Sequence, residues 1–462
     1  MKKRKYISLA VVMVALATMM GGCKMYKEYT TPTDVPIIDE YARVKDAPQD
    51  STSLGNLGWR QVFTDPLLQS YIERALANNT SLKNTKLNID IAEARLQGAK
   101  LSYLPSLTFS PNGAGVKLGD NSMDWGWQLP LTLSWQTDIY GQITNNKRSA
   151  ESAVRYAQYY NQAVQSQLIA SVATCYYNLV SLNNQLKIYN ENAQLAKETN
   201  KTMKDMKESA RAGYTEVAVV QSEAQYQSIL GTIPNIQLSI AQVNNTLSLL
   251  MNEKPQEWPV NQGSELALPA QFTGGVPINY LAARPDVRES EESFAQAYYA
   301  TNIARANFYP QLSITATGAY GTLMGSSVLD PAKWLVNLAG SLVTPLFDKG
   351  QNMATLKAAK ARQEQALNNF QYSILSASAD VSNALANIQA YRTQQANVEQ
   401  QEAALAKAVS YNKDLLSLYT TTYLDVISAQ QSLLAAQISL ENVKLNENLG
   451  VITLYQALGG GR

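Results

Sequence analysis

Apolar and polar residues alternate along this chain in two rhythms. From residue 129 the apolar positions are Leu129, Leu131, Leu133 and Trp135, with Gln128, Thr132, Ser134 and Gln136 between them. Period two predicts a strand with one apolar face and one wet face. The rhythm returns at Leu312, Ile314 and Ala316, set against Ser313, Thr315 and Thr317. A second rhythm fills 144–210 and 351–417, where residues such as Leu168, Val172, Tyr176, Leu179, Leu182 and Leu186 recur at three- and four-residue steps. That spacing predicts amphipathic helices. Neither stretch contains proline or glycine, so each reads as one rod about 100 Å long at 1.5 Å per residue. Two arms, 215–251 and 422–458, are half as long. A helix over 65–102, opened by Asp65 as cap and Pro66 in its first turn, has the missing length if stacked end to end on the first arm. Pro105 and Pro310 mark the switch from helix to strand, and Gly141 and Gly350 the turn from strand into each rod.

Sliding the chain on itself by about 205 residues exposes a repeat. Residues 99–107, AKLSYLPSL, echo 304–312, ARANFYPQL. Gly141-Gln142 is echoed by Gly350-Gln351, and Val219-Val220 by Val426-Ile427. Each copy runs helix, strand, strand, long helix, turn, helix. The expected divisions are 65–252 for the first copy, 253–283 for a connecting belt at mid-height, 284–458 for the second copy and 459–462 for a tail.

The amino terminus is an address. Lys2, Lys3, Arg4 and Lys5 precede an apolar run over 7–20 that ends at Met20-Gly21-Gly22-Cys23. The order is that of a secretory signal, and the run is short for a membrane span. The small residues before the cysteine resemble a bacterial lipobox, in which cleavage leaves Cys23 carrying a lipid on its sulfur. Residues 1–22 are then a signal peptide. Pro32, Pro36 and Pro48 punctuate 23–64, expected to be an extended tether without its own core.

Composition narrows the function. Lys plus Arg is 38 against 37 for Asp plus Glu, leaving no basic field for nucleic acid. Charged residues are only 16%, so uncharged polar side chains form much of the surface. There is no histidine, which excludes Ser-His-Asp, Cys-His and histidine-metal chemistry. No catalytic residue, metal site or cofactor is expected. Cys23 and Cys175 are unsuited to a structural disulfide, and Cys175 sits in the apolar stripe of the first rod.

Four strands cannot close a barrel, because the smallest membrane barrels have about eight and open edges in lipid leave backbone groups unpaired. Several chains must close it together. Leu281-Ala282-Ala283-Arg284-Pro285-Asp286-Val287-Arg288, Phe308-Tyr309-Pro310, Tyr423-Leu424-Asp425-Val426 and Leu454-Tyr455-Gln456-Ala457-Leu458-Gly459-Gly460-Gly461 resemble successive signatures of the TolC-like outer-membrane factors, in their NodT-type lipoprotein branch. The resemblance implies a mainly α fold with a membrane β-barrel portion: long α-helical hairpins forming a periplasmic α-barrel, and four strands per protomer completing a trimeric 12-stranded outer-membrane barrel. It implies a homotrimer, lipid-anchored in the cell outer membrane and extending into the periplasm. The partners implied are outer-membrane lipid, a periplasmic adaptor (membrane fusion protein) and an inner-membrane efflux pump of resistance-nodulation-division type. A type I secretion duct is the alternative, and a structural coiled-coil lipoprotein would leave the strand pairs unexplained.

The resemblance places a gate and adaptor contact at the turns joining the helices, at Gly213 and Tyr214 in the first and Thr421 in the second. Asp425 falls where three copies would form a carboxylate ring, although an aspartate there also suits a helix start. Val219 replaces an acid and Thr421 a latch arginine found in other members, against a salt-bridged lock. Arg284, Pro285 and Asp286 read as structural residues at the entry to the second copy.

Overall fold

The structure is a computed structural model and describes residues 26–44, 58–116, 124–209, 215–263, 266, 281–282, 284–321, 334–343, 347–417 and 422–461. The helices are α1 (Pro36–Val44), α2 (Trp59–Val62), α3 (Pro66–Asn78), α4 (Thr80–Leu101), α5 (Gln142–Glu208), α6 (Glu216–Leu250), α7 (Pro285–Ala306), α8 (Gln351–Ser417) and α9 (Tyr423–Ala457). The strands are β1 (Ser106–Phe109), β2 (Asn112–Val116), β3 (Asp124–Gln136), β4 (Gln311–Gly321) and β5 (Trp334–Val343). Corresponding helices of the two copies match in length: α4 and α7 have 22 residues each, α5 and α8 have 67, and α6 and α9 have 35. The chain divides into two compact units, one of residues 1–32, 87–158 and 289–372, the other of 33–86, 159–288 and 373–462.

The first unit holds an antiparallel sheet in the order β1-β3-β4-β5, with β2 also paired to β3. β1 and β2 lie along β3 in succession, so the five segments occupy four lanes, and the first lane is interrupted at Ser110-Pro111, where proline lacks an N–H. Register carries the alternation across the sheet. Leu107 lies opposite Leu133, Leu133 opposite Ala316, and Ala316 opposite Leu338. The adjacent rung is Thr108, Thr132, Thr317 and Asn337. One face is therefore aliphatic and the other hydroxyl and amide. The aliphatic face is bare: Val336 is 79% exposed, Leu338 75% and Leu107 64%. That is the reverse of a soluble half-buried sheet.

Ser106 stands opposite Ser134, Gln136 opposite Ser313, and Gln311 opposite Val343. The starts of β1 and β4 and the ends of β3 and β5 thus share one end of the sheet, where the helices join. Gly141 and Gly350 take φ of 69° and 81° there, the left-handed region that glycine enters without strain. Aspartates cap the rods that follow: Asp138 accepts from the backbone N–H of Ile143 at 2.7 Å and Thr144 at 2.8 Å, and Asp348 from that of Asn352 at 2.6 Å.

In the second unit the structure departs from expectation twice. Residues 23–64 are not wholly an extended tether, because α1 and α2 precede Asp65, and Ile38, Tyr41 and Phe63 are fully buried. These helices are too short to signal themselves by periodicity and owe their order to packing. Asp65 does cap α3, with Pro66 in its first turn. The expected helix over 65–102 is broken at Asn79, a residue whose backbone and side chain together serve three helices. Its N–H closes α3 on Ala75 O at 2.8 Å, its Oδ1 caps α4 by accepting from Leu82 N–H at 3.0 Å, and its Nδ2 donates to Leu250 O, the last residue of α6, at 2.9 Å. This is the end-to-end joint between the first arm and its stacking partner. The second copy repeats it 205 residues later, where Arg284 Nη1 donates to Ala457 O, the last residue of α9, at 3.0 Å.

Around the first joint, Tyr176 Oη donates to Asp65 Oδ2 at 2.6 Å and accepts from Asn261 N–H at 3.0 Å. Trp258 Nε1 donates to Ser248 Oγ at 2.9 Å. The terminal glycines dock on α5, with Ser166 Oγ donating to Gly460 O at 2.5 Å and Gln165 Nε2 to Gly461 O at 3.0 Å. Burial pushes the Cys175 thiol up to about 11, which keeps it protonated and unreactive.

Replacing Asn79 by Ala removes the cap of α4 and leaves the Leu250 carbonyl without this donor. We expect a loss of about 2 kcal/mol, read as a lower midpoint of thermal unfolding by circular dichroism. An unchanged midpoint would show that the joint contributes nothing to stability.

Candidate functional site

The four long helices of the second unit converge at their turn end. Met203 from α5, Val219 from α6, Leu416 from α8 and Val426 from α9 form one buried cluster, with Tyr423 packed against it. Val219 and Val426, paired by the repeat, meet in this cluster. Val219 is thus a core residue, and an acid there would be buried among aliphatic side chains at high cost. Tyr423 Oη of α9 donates to Gln221 Oε1 of α6 at 2.7 Å, tying the two hairpins beside the cluster, and within the first hairpin Asn200 Nδ2 donates to Ser222 Oγ at 2.9 Å. Lys204 pairs with Glu223 at 3.0 Å and Lys207 with Glu216. Hydrogen bonding from Gln227 and the charge of Lys204 hold the Glu223 carboxyl below its ordinary value.

Asp425 is exposed at the start of α9 and forms a capping box with Thr422. Its Oδ2 accepts from Thr422 N–H at 3.1 Å and from Thr422 Oγ1 at 2.6 Å. The helix-start role is thus realised in the fold, and the carboxylate still faces solvent. Gly213, Tyr214, Thr421 and Cys23 lie outside the described residues.

The other sequence-marked residues fall into two groups. Pro105 and Pro310 stand immediately before β1 and β4, beside Gly141 and Gly350 at the helix-side end of the sheet. Arg284, Pro285 and Asp286 stand at the start of α7. Arg284 is 8% exposed and spans three elements. It holds Asp286 through Nε at 3.0 Å and Nη2 at 2.6 Å, Asp380 of α8 through Nη2 at 3.1 Å, and the end of α9 through Nη1. Burial alone would lower its pKa, but the two carboxylates outweigh burial and raise it. Asp380, Asp138, Asp348 and Asn79 escaped the sequence reading. The repeat offset that pairs 79 with 284, and the cap preference of Asn before Thr80, are the signals that mark Asn79.

No helix among the described residues is long and apolar enough to cross a membrane, and no acidic, histidine or cysteine cluster among them has the makings of a metal site.

Comparison with known proteins places this architecture. The chain is 27% identical over 456 residues to the cation efflux system protein CusC of Escherichia coli, spanning 97% of each. It is 26% identical over 470 residues to the probable outer membrane lipoprotein SilC of Salmonella typhimurium, spanning 100% of this chain and 99% of SilC. It is 27% identical over 492 residues to the toluene efflux pump outer membrane protein TtgC of Pseudomonas putida, spanning 99% of this chain and 96% of TtgC. A crystal structure of CusC superposes with a TM-score of 0.82 at 26% identity, covering 95% of this chain and all of that one. The fold is therefore mainly α with a membrane β-barrel portion, as in these channels. The family model for outer membrane efflux proteins matches residues 71–253 and 276–460, one match for each copy of the repeat, and the chain belongs to the outer membrane efflux protein family.

Proposed function

We infer that this chain is the exit duct of a tripartite efflux system, closed as a homotrimer in the outer membrane and joined to a periplasmic adaptor and an inner-membrane pump of resistance-nodulation-division type. Family membership makes it an outer-membrane efflux channel and not an enzyme. The single observation that carries closure by copies of the chain is the sheet: among the described residues it has four antiparallel lanes with two open edges, an exposed aliphatic face and a face rich in Ser, Thr, Asn and Gln on the other side, and the number three comes from the family resemblance. In lipid such edges must be paired, and copies of the same chain pair them. The aliphatic face then meets lipid and the hydroxyl face meets water. CusC is named for cations and TtgC for toluene at the same identity to this chain, so one duct scaffold serves unlike cargo. Selection of cargo accordingly falls to the pump.

Cys23 is the proposed lipid attachment. Tyr26 lies against Gly141, within 3.6 Å of where a Cβ there would stand. Cys23→Ser cannot form the thioether. We expect loss of radioactive palmitate incorporation with the barrel still inserting at lower yield; label that persists in Cys23→Ser would sink this assignment.

The proposed gate is the turn end, where Gly213, Tyr214, Thr421 and three copies of Asp425 converge at the narrow periplasmic mouth. The carboxylates attract cations and repel one another. Asp425→Asn keeps side-chain size and an oxygen for Thr422, and costs at most about 1 kcal/mol as a helix-start change. Trimer yield should stay near normal, while cation preference in planar bilayers and block by trivalent cations both fall. Unchanged selectivity and block would leave Asp425 as a helix cap alone.

A further inference from the structure

The helix-side end of the sheet in the first unit carries a collar of positive charge that neither the gate nor the lipid attachment uses. Lys100 and Arg305 occupy the last turns of α4 and α7. Lys147 lies in the second turn of α5, Lys349 just precedes α8, and Lys357 and Lys360 lie in its second and third turns. All six are close to the sheet along their helices, and all but the half-buried Lys147 are exposed. The acids at this level offset them only in part. Asp138 and Asp348 are folded back as helix caps, Glu151 pairs with Lys147 at 3.4 Å, and Glu93 is balanced by Arg95 on the same helix.

The neighbouring layer is aromatic. Tyr140 stacks on Tyr309 with ring centroids 4.9 Å apart, and Trp135 Nε1 donates to Tyr103 O at 3.0 Å. Beyond it lies the bare aliphatic face. Aliphatic, then aromatic, then cationic is the order in which one lipid leaflet presents acyl chains, interface and phosphate headgroups. Resting on the outer-membrane duct reading, we propose that this collar binds the anionic headgroups of phospholipids in the leaflet facing the periplasm. Clusters of lysine and arginine next to a membrane-embedded segment are the usual electrostatic match for such headgroups, and repetition in three copies multiplies the charge.

The test uses the full chain purified as a trimer in neutral detergent and doped with either phosphatidylglycerol or phosphatidylcholine. Phosphatidylglycerol should raise the temperature at which the trimer dissociates by about 5 °C, with the gain fading at about 0.5 M salt, while phosphatidylcholine and inorganic phosphate leave it unmoved. The fourfold variant Lys100→Gln, Lys147→Gln, Lys357→Gln, Lys360→Gln should lose the response and still form the trimer, and the matching Lys→Arg variant should keep it. An equal response to both lipids, or a Gln variant that responds as the parent does, would overturn the collar. A Gln variant with an intact lipid response but shifted ion preference in planar bilayers would place these lysines on the water-filled wall and overturn it as well. Failure to form a trimer in any lipid would instead bring down the duct reading itself.

Discussion

Backbone hydrogen bonding in lipid is the constraint on which the rest of this molecule depends. A sheet whose aliphatic face is bared to the outside belongs in hydrocarbon, and hydrocarbon offers no water to its edge N–H and C=O groups. Among the described residues β1 and β5 each leave one side unpaired. The remedy available to an identical neighbour is to extend the sheet until it closes. Once closure by copies is required, each copy must deliver its helices to the same end of the sheet, which the register of β1, β3, β4 and β5 achieves. The repeat follows from the same requirement, since each strand pair needs one rod leaving it and one helix arriving.

A second constraint is length. A rod of 67 residues cannot pair along its whole extent with an arm of 35, so each copy stacks a second helix on the arm and must join two helix ends inside the structure. Helix ends carry unsatisfied polar groups, and the two copies solve the problem at the same position with different chemistry. Asn79 does so with a neutral amide, Arg284 with a charged fork tied to Asp286 and Asp380. The arginine version also anchors α7 to α8, because Asp380 belongs to the rod.

Much of the architecture was legible in the sequence because its signals are periodic and long. The rods, the arms and the strands β3 and β4 reveal themselves by rhythm, and Gly141 and Gly350 stand where the backbone turns left-handed. What escaped was set by tertiary contacts. The break at Asn79 follows no proline or glycine, and α1 and α2 exist through burial of Ile38, Tyr41 and Phe63. At the candidate gate the sequence marked Asp425 and the oddity at Val219. The aliphatic cluster that explains Val219 draws on four helices distant in sequence, and no local pattern announces it.

The central claim is that this sheet is one third of a closed barrel. The most direct measurement is the mass of the protein extracted from outer membranes in mild detergent, by light scattering or native mass spectrometry, before and after heating. A complex of three chains that falls to a single chain on heating is the result this account predicts. A single chain before heating, in a detergent that preserves the fold, would contradict it.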